Sequence, residues 1–221
     1  MKSYVITIQE MSHSIRSANK CIMSASDYDI EVEMFEAVTP NHNPVKMLKD
    51  KGIGDTNFNE VYSRTDRCIS AFLSHHSLWE KCVEDDEPYL IFEHDAIVET
   101  IIPQTILDFE TEPKLISFGA PSYGKFNTPQ SLGLNTLMSK QYLPGAHSYM
   151  LNPQAAKKLI ESAKTDAGPT DVFLNNARFN FLYEWYPYPV IAKDTFTTIQ
   201  RKEGCLAKHS YGDGTKYGII W

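Results

Sequence analysis

Residues 89–99 read YLIFEHDAIVE. A short apolar run, Tyr89 to Phe92, stops at Glu93, His94 and Asp95 and resumes at Ala96, Ile97 and Val98. A run of this length behind the breaker "EDDEP" (84–88) reads as a buried strand, and its β-branched and aromatic content favours strand over helix. In open α/β sheets ligands bind beyond the carboxyl ends of the strands, which is where these three polar residues fall. Side chains alternate along a strand, so the pattern predicts Glu93 and Asp95 on one side and His94 on the other. Two neighbouring carboxylates repel and push one pKa upward. A divalent cation removes that repulsion and takes the oxygens as ligands; an oxygen-led set suits Mg²⁺ or Mn²⁺, and an imidazole leans it toward Mn²⁺. The plainer alternative has both acids capping the next turn or pairing with surface Lys and Arg.

Working outward, the alternating "SYVITI" (3–8) predicts a first strand and "SHSIRSANKCIMSAS" (12–26), with apolar residues at helical spacing, a first helix. "IEVEMFEAV" (30–38) alternates again. The β-α-β opening predicts an α/β fold with a mostly parallel central sheet flanked by helices. The Asn-, Gly- and Pro-rich segment 39–64 reads as a loop with a short helical turn. Cys68, Phe72, His75, Trp79 and Cys82 step by four, three, four and three, laying one stripe along a helix from Asp66 to Val83. "KLISFG" (114–119), "GAHSYMLNP" (145–153) and "YPYPVIAKD" (186–194) read as further strands. Asn152 and Pro153 open another helix, and "GPTDVFLNNARF" (168–179) leads into one capped near Thr170. The tail "KHSYGDGTKYGIIW" (208–221) reads as a lid or a strap.

With 221 residues, 42% hydrophobic and 22% charged, the chain has the composition of an ordinary globular protein, and the expectation is one domain over 1–221. A net charge of −7 advertises no nucleic-acid surface. The four cysteines share no C-x-x-C spacing and read as reduced core thiols. The first apolar run is too short for a signal sequence, and no segment reaches membrane-spanning length; the expectation is a cytoplasmic protein.

"ISAFLSHHSLWEKCVEDDEPYLIFEHDA" (69–96) resembles the core signature of glycosyltransferase family 25, which includes bacterial lipooligosaccharide galactosyltransferases and animal procollagen galactosyltransferases. That signature is a helix carrying Ser-His and then Trp, an acidic linker, a hydrophobic strand and Glu-Asp-Asp. Here Ser74, His75 and Trp79 stand on the helix, and the strand ends in Glu93, His94, Asp95. "GAHSYMLNPQAAKKLIE" (145–161) is similar to the family's Gly-Ala-x-x-Tyr segment, "GPTDVFL" (168–174) to its Pro-x-Asp and "YPYPVIAKD" to its Tyr-x-x-Pro strand. Two departures stand out: His94 replaces the middle carboxylate, and Arg67 to Ala71 replaces the frequent Gly-Glu-x-Gly-Cys.

The resemblance implies a GT-A-like fold, with a nucleotide-sugar half over about 1–120 and an acceptor half over about 121–221. It implies inverting, metal-assisted transfer of a sugar, galactose foremost, from a UDP-sugar to a hydroxyl of a glycan or glycoconjugate, as in lipopolysaccharide biosynthesis. The metal, Mn²⁺ or Mg²⁺, falls to Asp95, Glu93 and His94. Arg16, Ser74, His75 and Glu93 are the expected donor-binding residues. Asp171, held ionised at a helix start, is the expected base.

Each has a plainer reading. His75 fits a satisfied core histidine, and Ser74 a hydroxyl back-bonded within its helix. Arg16 fits a surface ion pair. His147 and His209 are further, weaker metal candidates. Tyr183, Trp185, Tyr186 and Tyr188 suit sugar stacking or plain packing. Two other functions compete: a non-catalytic glycan- or nucleotide-sugar-binding module, and a metal-dependent hydrolase built on residues 93–95.

Overall fold

The computed structural model describes residues 1–58, 64–103, 112–121, 125–143, 145–193, 196–199 and 218–219. Cys205 and the expected lid over 208–221, apart from residues 218–219, lie outside the described residues. Strand β1 (Lys2–Thr7), helix α1 (Ser12–Ser26) and strand β2 (Glu33–Glu36) form the anticipated β-α-β unit, with β1 and β2 parallel. Strand β2 is shorter than its alternation suggested. Ile30 and Val32 are already buried, but the ladder starts only at Glu33.

The segment expected to be mostly loop carries a real helix, α2 (Pro44–Asp50), between two 3₁₀ turns. Asn43 adopts a left-handed φ of 54° and accepts the Lys46 amide at 3.4 Å, while Pro44 fills the first helical position. Leu48 and Phe58 anchor this region in the core. Helix α3 (Thr65–Asp85) extends the anticipated helix by one residue before and two after; all five residues of its stripe are buried. It stops at Asp86, which turns left-handed at φ 49°. Two acids of this run are paired: Lys2 reaches Asp85 and Glu87 at 2.5 and 2.7 Å.

Strand β3 (Tyr89–Glu93) is followed by a turn at His94 and Asp95 and by β4 (Ala96–Val98). The remaining elements are β5 (Leu115–Ser117), β6 (Gly133–Thr136), β7 (Ser148–Leu151), α4 (Pro153–Asp166), the single-turn α5 (Thr170–Phe173), β8 (Leu182–Tyr186), β9 (Val190–Ala192), β10 (Phe196–Thr197) and β11 (Gly218–Ile219). The main sheet has seven strands in the order β2-β1-β3-β7-β5-β8-β6. Five of them run one way and β7 and β6 run the other, so the sheet is mixed but mostly parallel. Asn152 caps α4 as anticipated, accepting the Ala155 amide at 3.0 Å.

Two apolar layers cover the sheet. Helices α2, α3 and α4 pack on one face around Trp79, Phe72, Tyr149 and Leu159. Helix α1 and the β4–β9 ribbon pack on the other around Ala18, Cys21, Phe92 and Met150. Among the described residues no helix is long and apolar enough to cross a membrane.

Candidate active site

Cross-strand register sets the geometry. Ile91, Tyr149, Ser117 and Glu184 are successive partners across β3, β7, β5 and β8, so their side chains form one row on the α3 face. Glu93 lies two residues further toward the carboxyl end of β3, on the same face. His147 faces it across the ladder, and the Glu93 amide donates to the His147 carbonyl at 3.0 Å.

Above this row runs a buried chain of hydrogen bonds whose direction follows from donor chemistry. Trp79 Nε1–H can only donate, and it gives its proton to Tyr149 Oη at 2.9 Å. The tyrosine hydroxyl then donates to His75 Nδ1, also at 2.9 Å. An accepting Nδ1 puts the ring proton on Nε2, which donates to Glu93 Oε1 at 3.1 Å. This tautomer, assigned from the network, satisfies every atom with a neutral imidazole. Burial pushes the Tyr149 hydroxyl well above its usual range, so it keeps its proton. Burial also pushes the Glu93 carboxyl upward. The hydrogen bond from His75, with the His147 and His94 rings nearby, outweighs that and holds it below the usual carboxylate range. The Glu93 side chain is 37% exposed, that of His75 only 2%. Both nitrogens of His75 are thus committed inside the protein.

His147 is seated in a slot made by two glycines. A Cβ on Gly119 would stand 2.4 Å from its Nε2, and one on Gly145 would stand 2.5 Å from its Nδ1. Gly119 lies beside β7 at the position opposite His147, where any other residue would aim a side chain at the ring. Gly119→Ala and Gly145→Ala are each expected to lose about 1–3 kcal/mol through overpacking, read from urea unfolding. Two variants as stable as the parent would mean that the ring has room to leave the slot freely.

Glu93 and Asp95 do not share a side as strict alternation predicted. Strand β3 ends at Glu93, and the turn at 94–95 breaks the period. His94 Nδ1 lies 2.8 Å from the buried Ser14 Oγ of α1, and that oxygen accepts the Ile8 amide at 2.9 Å. Burial pushes the Cys21 thiol of α1 up to about 12, with the Asp95 charge adding to it. Residues 94 and 95 therefore belong with α1, and Glu93 with α3. Among the described residues, no three His, Cys, Asp or Glu side chains gather to hold a metal.

Helix α1 opens at Met11, whose side chain makes no cap hydrogen bond, and Arg16 is exposed one turn on. Ser74 is consumed structurally: its hydroxyl donates to the Ser70 carbonyl and accepts the Val38 amide, each at 2.9 Å. Asp171 stands in the single turn of α5, half-buried, its Oδ1 accepting the Val172 amide at 3.0 Å. It faces Lys140: burial lowers the Lys140 pKa, and the Asp171 charge pulls it back upward. Tyr183 and Trp185 pack against the α1-side core, and Tyr186 and Tyr188 meet edge to face at 5.6 Å.

Sequence reasoning missed Glu184. It is fully buried, yet its Oε1 accepts the Met138 and Ser139 amides at 2.9 Å and its Oε2 the Tyr188 hydroxyl at 3.0 Å. Nothing in "LYEWY" distinguishes this glutamate from a solvated one. The glycine slot had a visible signal, since Gly145 lies two residues before His147.

The family model "Glycosyltransferase family 25 (LPS biosynthesis protein)" matches residues 1–127, more than half of the chain. The chain belongs to glycosyltransferase family 25. A "Glycosyltransferase 25 family member" of Aedes aegypti is 23% identical over 205 residues, covering 81% of this chain and 34% of that protein. The family 25 chain thus spans about a third of that relative's length. Two solved structures resemble it more distantly. A glycosyltransferase involved in glycosylation of the major capsid of PBCV-1 is 7% identical over 87% of this chain and 93% of its own, with a TM-score of 0.43. The galactosyltransferase LgtC, solved with donor and acceptor sugar analogues, is 12% identical over 87% and 86%, with a TM-score of 0.46.

Proposed function

We propose that this family 25 chain transfers a sugar, galactose foremost, from a UDP-sugar to a hydroxyl of a glycan or glycoconjugate, with inversion at the anomeric carbon. Family membership makes the reaction class the leading one. The observation that supports its placement is the contact of His94 with Ser14 in the opening turn of α1, with the Asp95 charge felt at Cys21 further along the same helix, at the carboxyl ends of β3 and β1. A nucleotide diphosphate carries concentrated negative charge, which the positive end of the α1 dipole and Arg16 attract. A bound Mn²⁺ or Mg²⁺ would neutralise charge on the departing diphosphate; Asp95 is the residue to hold it, with His94 beside it.

In the proposed step the bond from the anomeric carbon to the diphosphate oxygen breaks, and that oxygen leaves with the bonding pair. The acceptor oxygen bonds to the same carbon from the opposite face, and its proton passes to a carboxylate. Asp171 takes that role: it is half-buried, ordered by its own helix turn and faced by a lysine that favours its charged form. Glu93 and His75 hold the floor of the site through the Trp79–Tyr149 chain rather than touching the donor.

The test is incubation of the purified chain with UDP-galactose, Mn²⁺ and a set of simple galactosides and glucosides, with products read by mass spectrometry and linkage by NMR. A new glycoside of inverted configuration is the expected result. UDP-sugar binding with no turnover toward any acceptor would favour the non-catalytic binding module, which the replacement of the middle carboxylate by His94 also suits. Released free sugar alone would indicate hydrolysis.

A further inference from the structure

We infer that His94 serves the donor's diphosphate as a hydrogen-bond donor and not the metal as a ligand, an inference that rests on the transferase reading. The direction of one buried hydrogen bond carries it. Ser14 is fully buried, and among the described residues its Oγ has two polar contacts, the Ile8 amide at 2.9 Å and His94 Nδ1 at 2.8 Å. The amide N–H can only donate, so it takes one lone pair of the oxygen. The hydroxyl carries a single hydrogen, and Nδ1 is the acceptor within its reach. With the bond turned round, Nδ1–H donating to Oγ, that hydrogen would be buried with no acceptor, which is the costlier arrangement. Ser14 therefore donates to Nδ1, and this assignment from the network puts the proton of the neutral ring on Nε2.

A ring nitrogen that carries its proton has no lone pair to give a metal. Nδ1 of His94 is spent on Ser14, and Nε2 is a donor. To ligate through Nε2, the ring would have to move its proton to Nδ1 and strand the Ser14 hydrogen. Where the family's Glu-Asp-Asp pattern has its middle carboxylate, this chain thus presents an N–H. An acceptor-only group has been exchanged for a donor, which suits the position to an anion rather than a cation. Diphosphate oxygens are charged acceptors, and hydrogen bonds to charged acceptors are among the stronger ones.

Position points the same way. Glu93 pairs with Ile6 in the last step of the β3–β1 ladder, so His94 stands at the carboxyl ends of two adjacent parallel strands, where ligands of such sheets bind. Its half-buried ring reaches the first turn of α1, and Arg16 is exposed two residues beyond Ser14 on that helix. His75 gives the contrast. It has the same tautomer, but its Nε2–H is spent inside the protein on Glu93. On the α1 side the labour is therefore divided: the Asp95 carboxylate faces the metal, and the His94 N–H takes a diphosphate oxygen.

The test is calorimetric titration of UDP, and separately of pyrophosphate, each with Mn²⁺, into the full chain, His94→Gln and His94→Asp. Glutamine keeps an N–H near the place of Nε2; aspartate restores the family's carboxylate. Donation predicts UDP affinity within about threefold of the parent in His94→Gln and at least about tenfold weaker in His94→Asp, the size of one hydrogen bond to a charged group. Long-range ¹H–¹⁵N spectra of the metal-free parent should show His94 Nδ1 bare and Nε2 protonated, a readout that needs neither variant to fold. A protonated Nδ1, or UDP binding to His94→Gln no tighter than to His94→Asp, would overturn the inference and leave the transferase reading standing. Failure of UDP to bind the parent, with pyrophosphate following the predicted order, would keep His94 as an anion donor and remove the transferase reading instead. Failure of both ligands to bind the parent would remove both.

Discussion

Asp171→Asn is expected to lower sugar transfer by about 10²–10⁴-fold, the range for loss of a positioned base, with UDP affinity unchanged. The substitution is nearly isosteric, and an asparagine oxygen can still accept the Val172 amide that Asp171 accepts now. The turn of α5 and its buried neighbours Thr170 and Phe173 should therefore stay in place. What disappears is the charge. Lys140, whose pKa is pressed down by burial and pulled up by Asp171, loses the upward pull and becomes easier to deprotonate. The loss of rate should consequently deepen as pH rises through the lowered lysine pKa, if the ammonium helps to hold the acceptor. Steady-state assays from neutral to alkaline pH, beside UDP titrations, separate these effects. Unchanged turnover would place the base on another residue.

Trp79→Ala is expected to cost about 3–5 kcal/mol of stability, as large-to-small changes of buried aromatics do. Trp79 is fully buried, stacked on Phe173 at 5.8 Å and met edge-on by Phe72 at 5.8 Å. Its removal leaves a cavity between α3 and α5. It also deletes the indole donor that fixes Tyr149 Oη, so the tyrosine proton is no longer directed at His75, and the imidazole can adopt its other tautomer and release Glu93. Urea unfolding measures the first effect; the ¹⁵N shifts of His75 report the second. A loss near the ~0.5 kcal/mol of ordinary surface changes would contradict the packing account. An unchanged Nε2–H signature would contradict the relay.

The parts of this molecule that could be read in advance were those with an unbroken period. The Cys68–Cys82 stripe specified a helix, its face and its burial, and the apolar run from Tyr89 specified a buried strand, which ends at Glu93 rather than continuing to Asp95 as expected. Helix α2 was obscured because the Asn43-Pro44 pair that starts it looks like loop text. Strand β6 begins at a glycine with φ +90°, and β8 had the look of an aromatic cluster because its tyrosines and tryptophan face two different layers. The divergence of Glu93 from Asp95 was not legible either. It depends on where pairing to β1 ends, at Glu93, and on Ser14 waiting across space for His94. Glu184 is a long-range case of the same kind, since the amides that satisfy it come from residues 45 and 46 positions away.

The most direct test is calorimetric titration of UDP into the purified chain, with and without Mn²⁺, beside Asp95→Ala. The proposed site requires UDP to bind the parent in the presence of Mn²⁺ and to lose that binding without the metal or without Asp95. Equal binding to parent and Asp95→Ala, or none to either with Mn²⁺ present, would contradict it.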